Sequence, residues 1–99
     1  MGAQIEVNSD AGVVTGRGEI DMAAADDLRA AISSALEVDR SRTVVVDLRD
    51  VTFIDSTGVK ELLRPIVDGF SLALREPSGP VRRVLELSGL AETVTIEQI

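Results

Sequence analysis

A single α/β domain built on a mixed β-sheet is what this sequence predicts, and three observations predict it. Hydrophobic spacing switches repeatedly between strand-like alternation and helical recurrence. After an opening pair of strands, strands and helices alternate, giving the order β-β-α-β-α-β-α-β. Finally, 99 residues that are 44% hydrophobic and 27% charged are enough for one packed core and leave no room for a second. The expected architecture over residues 1–99 is therefore one domain. It has a sheet of about four or five strands, an antiparallel N-terminal edge strand and helices packed against the sheet.

The elements follow in order. "QIEV" (Gln4–Val7) alternates as a short strand, "NSDAG" is turn chemistry, and "VVTGRGEI" is a second strand, so the two read as a hairpin. In "MAAADDLRAAISSALEV", Leu28, Ile32, Ala35 and Leu36 fall at helical spacing, with Met22 and Ala25 extending the stripe. Asp21 is placed to cap this helix, with Asp26 and Asp27 in its early turns. "DRSR" (Asp39–Arg42) is the next loop. "TVVVDL" (Thr43–Leu48) is the β-branched run of a central strand covered on both faces.

A second helix carries Val59, Leu62, Leu63 and Ile66 at i, i+3, i+4 and i+7. Pro65 is expected to distort it or end it early, because proline lacks an amide hydrogen and crowds the carbonyl of Glu61. Gly69 marks the break, and "FSLAL" (Phe70–Leu74) alternates as a strand. "EPSGP" turns into a third helix with Ser78 or Gly79 as its cap, Pro80 in its first turn, and Val81, Val84 and Leu85 facing inward. Gly89 stands where a helix-terminating residue belongs, with Leu90 placed to pack back on Leu85. "TVTIEQI" closes the chain as a short strand.

Composition excludes several classes of function. The formal charge is −7, which disfavours nucleic acid and anionic membrane surfaces, since both need a basic patch. The acidity fits either plain solubility or a partner with basic contacts. No cysteine is present, which removes disulfide and zinc-thiolate chemistry, and no histidine is present, which removes the commonest general base and metal ligand. Neither cofactor nor metal is expected. No signal-peptide pattern, membrane span or myristoylation motif is visible, so a cytoplasmic location is expected.

The polar group Asp55-Ser56-Thr57-Gly58 sits between strand and helix. On its own it reads first as a capping sequence. It reads second as a modification site: with Asp55 as the cap, Ser56 is the first helical residue, and a phosphate on it would lie near free helix amides. Asp47, placed at the end of the third strand, is either a solvated strand-end acid or a partner for Asp55 in acid–base or metal chemistry. A serine hydrolase is unsupported, because no histidine can activate Ser56 and no Gly-x-Ser-x-Gly elbow is present. "GRGEI" lacks the features of a phosphate loop. Arg82 and Arg83 form a solvated helix face or touch a partner.

"VVVDLRDVTFIDSTGVKELL" followed by "PSGPVRRVLELSGL", with "GEID" before the first helix, resembles the bacterial anti-sigma factor antagonists, the archetype of the STAS domain. The likeness covers nearly the whole chain. It implies a regulatory binding protein rather than an enzyme. Such a protein binds an anti-sigma factor that is also a GHKL-type serine kinase, is released when that kinase phosphorylates it, and is reset by a serine phosphatase. The phosphorylated position corresponds to Ser56. Asp55 matches the motif aspartate, Thr57 and Gly58 the following two positions, and Asp21 an acid near the first helix that lies close to the site. Lys60 stands where the family often has glycine, and the segment from the motif to the fourth strand is shorter by about a helical turn than the family pattern. STAS-like domains also serve as cytosolic accessory subunits of lipid-transporting ABC systems, which is the alternative reading. A monomer is expected.

Overall fold

The computed structural model describes residues 4–8, 12–38 and 43–98. The order of elements is β1 (Gln4–Asn8), β2 (Val13–Ile20), α1 (Met22–Val38), β3 (Thr43–Ile54), α2 (Ser56–Val67), β4 (Ser71–Arg75), α3 (Gly79–Leu87), a 3-10 turn (Leu90–Glu92) and β5 (Thr95–Glu97). The five strands form one sheet in sequence order. The edge strand β1 runs antiparallel to β2, while β2, β3, β4 and β5 are mutually parallel. Each parallel step is made by a helical crossover to the adjacent strand, the connection parallel pairing requires. The expected tip of the first hairpin and the "DRSR" loop lie outside the described residues.

One aliphatic core unites the elements. Val14 and Ile20 from β2, Val44, Val46, Leu48, Val51 and Ile54 from β3, and Leu72 and Leu74 from β4 meet Leu28, Ile32, Leu62, Val81 and Leu85 from the helices. Two expectations about helix faces change. Met22 is 73% exposed rather than part of the stripe of α1, and Ala24 and Ala31 are buried there. Met22 is the first residue of α1. It lies at the end of the element, where little packs against it. On α2, Val59 and Leu62 are buried while Leu63 and Ile66 are only half-buried, because the inward face also carries Gly58, Glu61 and Pro65.

The central strand is longer than its β-branched run. It continues past Leu48 to Ile54, with buried positions changing from every second to every third residue. The register explains this. Thr15 pairs with Asp47 but Arg17 with Asp50, and Gly18 pairs with Val51 but Glu19 with Phe53. Twice, β3 inserts one residue more than β2, as a bulge does, and each insertion turns the following side chains onto the other face. Asp47 is therefore in mid-strand, eight residues before Asp55, not at the strand end. Its Oδ1 accepts the backbone N–H of Arg49 at 3.0 Å. The pairing of Asp47 with Asp55 is excluded, since residues at the two ends of such a segment stand roughly 25 Å apart along an extended chain.

Pro65 does not stop α2. The helix continues to Val67, with Pro65 buried in its closing turns. Its end is fixed by Asp68 N–H on the Arg64 carbonyl and Phe70 N–H on the Pro65 carbonyl, at 3.0 and 2.8 Å. The strand after it is Ser71–Arg75, displaced by one residue from the sequence expectation. Helix α3 ends as anticipated, with Gly89 at φ 80° beyond the cap Ser88. That left-handed conformation costs glycine little and other residues more. Leu90 then enters the core.

Candidate functional site

The C-terminal ends of the parallel strands β2 and β3 lie side by side, Ile20 against Ile54, and each is followed at once by a helix. The Asp55 N–H donates to the Ile20 carbonyl at 3.0 Å, so the two junctions are stitched together. Asp21 starts α1: its Oδ1 accepts the Ala23 N–H at 3.0 Å and its carbonyl the Ala24 N–H. Asp55 caps α2 more completely. Its Oδ1 accepts the N–H of Thr57 and of Gly58 at 3.0 and 3.1 Å and the Thr57 hydroxyl at 2.5 Å, while its carbonyl accepts the Val59 N–H. The bond from the Thr57 hydroxyl, aided by the backbone amides of Gly58, Thr57 and Met22, outweighs partial burial and holds the Asp55 carboxyl below its ordinary range.

Gly58 is required by packing. A Cβ there would stand 2.6 Å from Ile54 Cγ1 and 2.9 Å from Ile20 Cγ2. The helix start is thus pressed directly onto the last residues of two strands, which only a residue without a side chain permits.

These contacts sort the hydroxyls. Thr57 is half-buried and its Oγ1 is committed to Asp55. Ser56 is exposed and its hydroxyl bonds to no described residue. The free amides expected beside Ser56 are not free, because Thr57 and Gly58 already donate to Asp55. A group attached to Ser56 therefore projects outward from a helix start that is already closed. Lys60 lies one turn on, exposed. Around this end two large apolar side chains also reach solvent, Met22 and Phe53. Sequence spacing does not predict either exposure: it places Met22 on the core stripe, and the second bulge of β3 is what turns Phe53 outward.

The other polar feature missed from sequence is Glu61, 5% exposed on the inward face of α2. It is held by Arg64 of its own helix and by Arg29 of α1. Among the described residues, no three acidic side chains gather closely enough to hold a metal ion. Among the described residues, no helix is long and apolar enough to cross a membrane.

A mixed sheet of this strand order, with an acid-capped strand-to-helix junction presenting a hydroxyl that bonds to no described residue, defines a class of small α/β domain. The chain belongs to the STAS domain family, whose model matches residues 2–98. It is 29% identical to an anti-sigma F factor antagonist of Paenibacillus polymyxa, over 97% of this chain and 87% of that protein. Among solved structures it resembles an anti-sigma factor antagonist from Mycobacterium paratuberculosis, with a TM-score of 0.81 at 28% identity over 97% of this chain and 86% of the other. It also resembles the antagonist SpoIIAA, known in unphosphorylated and phosphorylated forms. The unphosphorylated form gives a TM-score of 0.70 at 29% identity, over 99% of this chain and 88% of the other. The phosphorylated Bacillus form gives 0.63 at 27%, over 99% and 91%.

Proposed function

We propose that this protein is an anti-sigma factor antagonist that binds an anti-sigma factor with serine-kinase activity and is released from it by phosphorylation at Ser56. The single observation that carries the reading is the contrast at the start of α2. Asp55 takes the Thr57 and Gly58 amides and the Thr57 hydroxyl, whereas the Ser56 hydroxyl bonds to no described residue and stands exposed at the position the family motif assigns. The likeness to SpoIIAA, a protein known with and without phosphate, supports the same reading.

The switch acts by charge. A phosphoserine brings nearly two negative charges to the surface of a partner interface. Here they fall next to Asp55, and the Thr57 and Gly58 amides that might have neutralised them already donate to its carboxylate. The apolar side chains of Met22 and Phe53, close to the same end, supply contact area that a docked partner covers. The phosphate makes that docking unfavourable through repulsion and through the desolvation it imposes. The protein is the substrate in this cycle, its partners being the kinase and a phosphatase, and it acts in the cytoplasm as a monomer.

The test is capture from the native host with unmodified protein, followed by incubation with ATP and site mapping by mass spectrometry. A GHKL-type kinase is expected in the captured fraction, with phosphate on Ser56 alone. Ser56→Ala is expected to capture the same partner without accepting phosphate. Full labelling of that variant would move the site elsewhere, and capture of an ABC ATPase in place of a kinase would replace the reading.

A further inference from the structure

We propose that the groove between α1 and α2 is a second binding site, built for a small aliphatic monocarboxylate. The groove is open to solvent on one side, has a volume of about 180 Å³ and is lined by Arg29, Ile32 and Leu36 from α1 and by Glu61, Arg64 and Pro65 from α2, with the exposed Ser33 and Asp68 at its rim. It lies away from Ser56, one to three turns further along α2, and the inference does not rest on the phosphorylation reading.

Glu61 is the observation that needs explaining. Its side chain is 6% exposed, and it is the one buried charged residue among those described. Its neighbours on the inward face are Leu62, Gly58 and Pro65. An apolar side chain at such a position is ordinarily as good for stability or better, because a buried carboxylate must recover the cost of its lost hydration. What the glutamate does achieve is placement. The Arg64 Nε donates to Glu61 Oε1, with Oε2 at 3.2 Å, and the Arg29 Nε stands 3.9 Å from Oε2. One buried anion thus gathers a guanidinium from each helix at the groove.

Both guanidiniums contact Glu61 through their Nε atoms. The terminal nitrogens of Arg64 bond to no described residue, and Arg29 spends one of its own on Asp26, which is 85% exposed and readily exchanged. A guanidinium has five donors, and its paired terminal N–H groups match the two oxygens of a carboxylate. Against this charged end, Ile32, Leu36 and Pro65 offer an aliphatic wall. The complementary ligand is a carboxylate on a short aliphatic stem. Asp68 at the rim and the overall charge of −7 disfavour a second negative charge, and so disfavour phosphate, dicarboxylates and acidic protein segments. The small volume, about 180 Å³, suits a free acid with a short stem.

The test is a titration of the full chain, labelled with nitrogen-15, with sodium 4-methylpentanoate. Arginine Nε–Hε and backbone amide signals are followed, against 4-methylpentan-1-ol and inorganic phosphate at matched ionic strength. Saturable shifts in about the millimolar range are expected for the acid only, confined to residues 29–36 and 61–68. Arg64→Gln, a change at a half-exposed side chain, is expected to keep the spectrum of a folded protein and to weaken binding about tenfold. Absence of saturable shifts, equal shifts from phosphate or the alcohol, or undiminished binding to Arg64→Gln would overturn the proposal. Tighter binding of a blocked Leu-Glu-Leu tripeptide than of the free acid would overturn its assignment to a small molecule.

Discussion

Helices α2 and α3 both begin directly after a strand-side segment, yet their first turns are built differently. At α2 the cap is a carboxylate that accepts two backbone amides and a hydroxyl. At α3 the cap Ser78 makes no side-chain capping bond, and its Oγ reaches 2.8 Å to the Val51 carbonyl in the middle of β3. Glycine differs in the same way: a Cβ on Gly58 collides with Ile54 and Ile20, whereas one on Gly79 meets nothing within 4 Å. The start of α3 is tethered to the sheet but locally open. At the start of α2 Asp55 takes the Thr57 and Gly58 groups and Gly58 is pressed onto Ile54 and Ile20, which leaves the Ser56 hydroxyl without a bond to any described residue. A modification at Ser56 would therefore need no rebuilding of the capped helix start, because the Ser56 hydroxyl bonds to no described residue.

The largest effect should come from the two glycines. Gly58→Ala is expected to destabilise the fold by about 1–3 kcal/mol through forced repacking of Ile54 and Ile20. That loss exceeds the roughly 1 kcal/mol that alanine gains over glycine in a helix. Gly79→Ala is expected to be neutral or slightly stabilising, and urea unfolding of the pair measures the difference. A smaller contrast comes from the caps. Asp55→Ala is expected to cost about 1–2 kcal/mol through orphaned amides, and Ser78→Ala about 1 kcal/mol or less through one lost hydrogen bond. Equal losses at the two positions would mean that the closed junction confers no special stability.

The pH response sharpens the comparison further. Asp55 is held below its ordinary value of 3.8, so the folded state binds the proton less readily than the unfolded state. The stability this contributes is fully present above about pH 4 and is lost as pH falls through the lowered folded-state value. Stability curves for wild type and Asp55→Asn between pH 2 and 6 should therefore converge at the acid end, and a constant gap would contradict the assignment. The smallest effect concerns Lys60. On α2, Ser56 and Lys60 stand at i and i+4, within reach for a phosphate–ammonium contact worth about 0.3–0.5 kcal/mol at an exposed site. Melting of phosphorylated and unmodified protein, in wild type and in Lys60→Ala, should show a phosphorylation-dependent difference of that order.

Much of this was legible in the sequence, for identifiable reasons. The order of elements follows from changes in hydrophobic period, and Leu28, Ile32, Val59 and Leu62 are buried as their spacing requires. Asp55 as cap follows from residue type and position. The misreadings also have physical causes. The end of β3 was hidden because its two bulges break the alternation on which strand recognition depends, and this misplaced Asp47 and concealed the exposure of Phe53. Glu61 was hidden because a charged residue on a helix is ordinarily assigned to solvent. Its burial is made tolerable by Arg64 of its own helix, with Arg29 of α1 approaching to 3.9 Å. The amides near Ser56 looked available because sequence shows that Asp55 can cap, not that its carboxylate takes both.

The central claim is that charge on Ser56 releases a partner from a junction that stays closed. The most direct measurement is a calorimetric titration of the captured kinase with protein carrying phosphoserine at position 56, beside the unmodified protein. A loss of at least about tenfold in affinity is predicted for the phosphorylated form. Equal affinities would contradict the account.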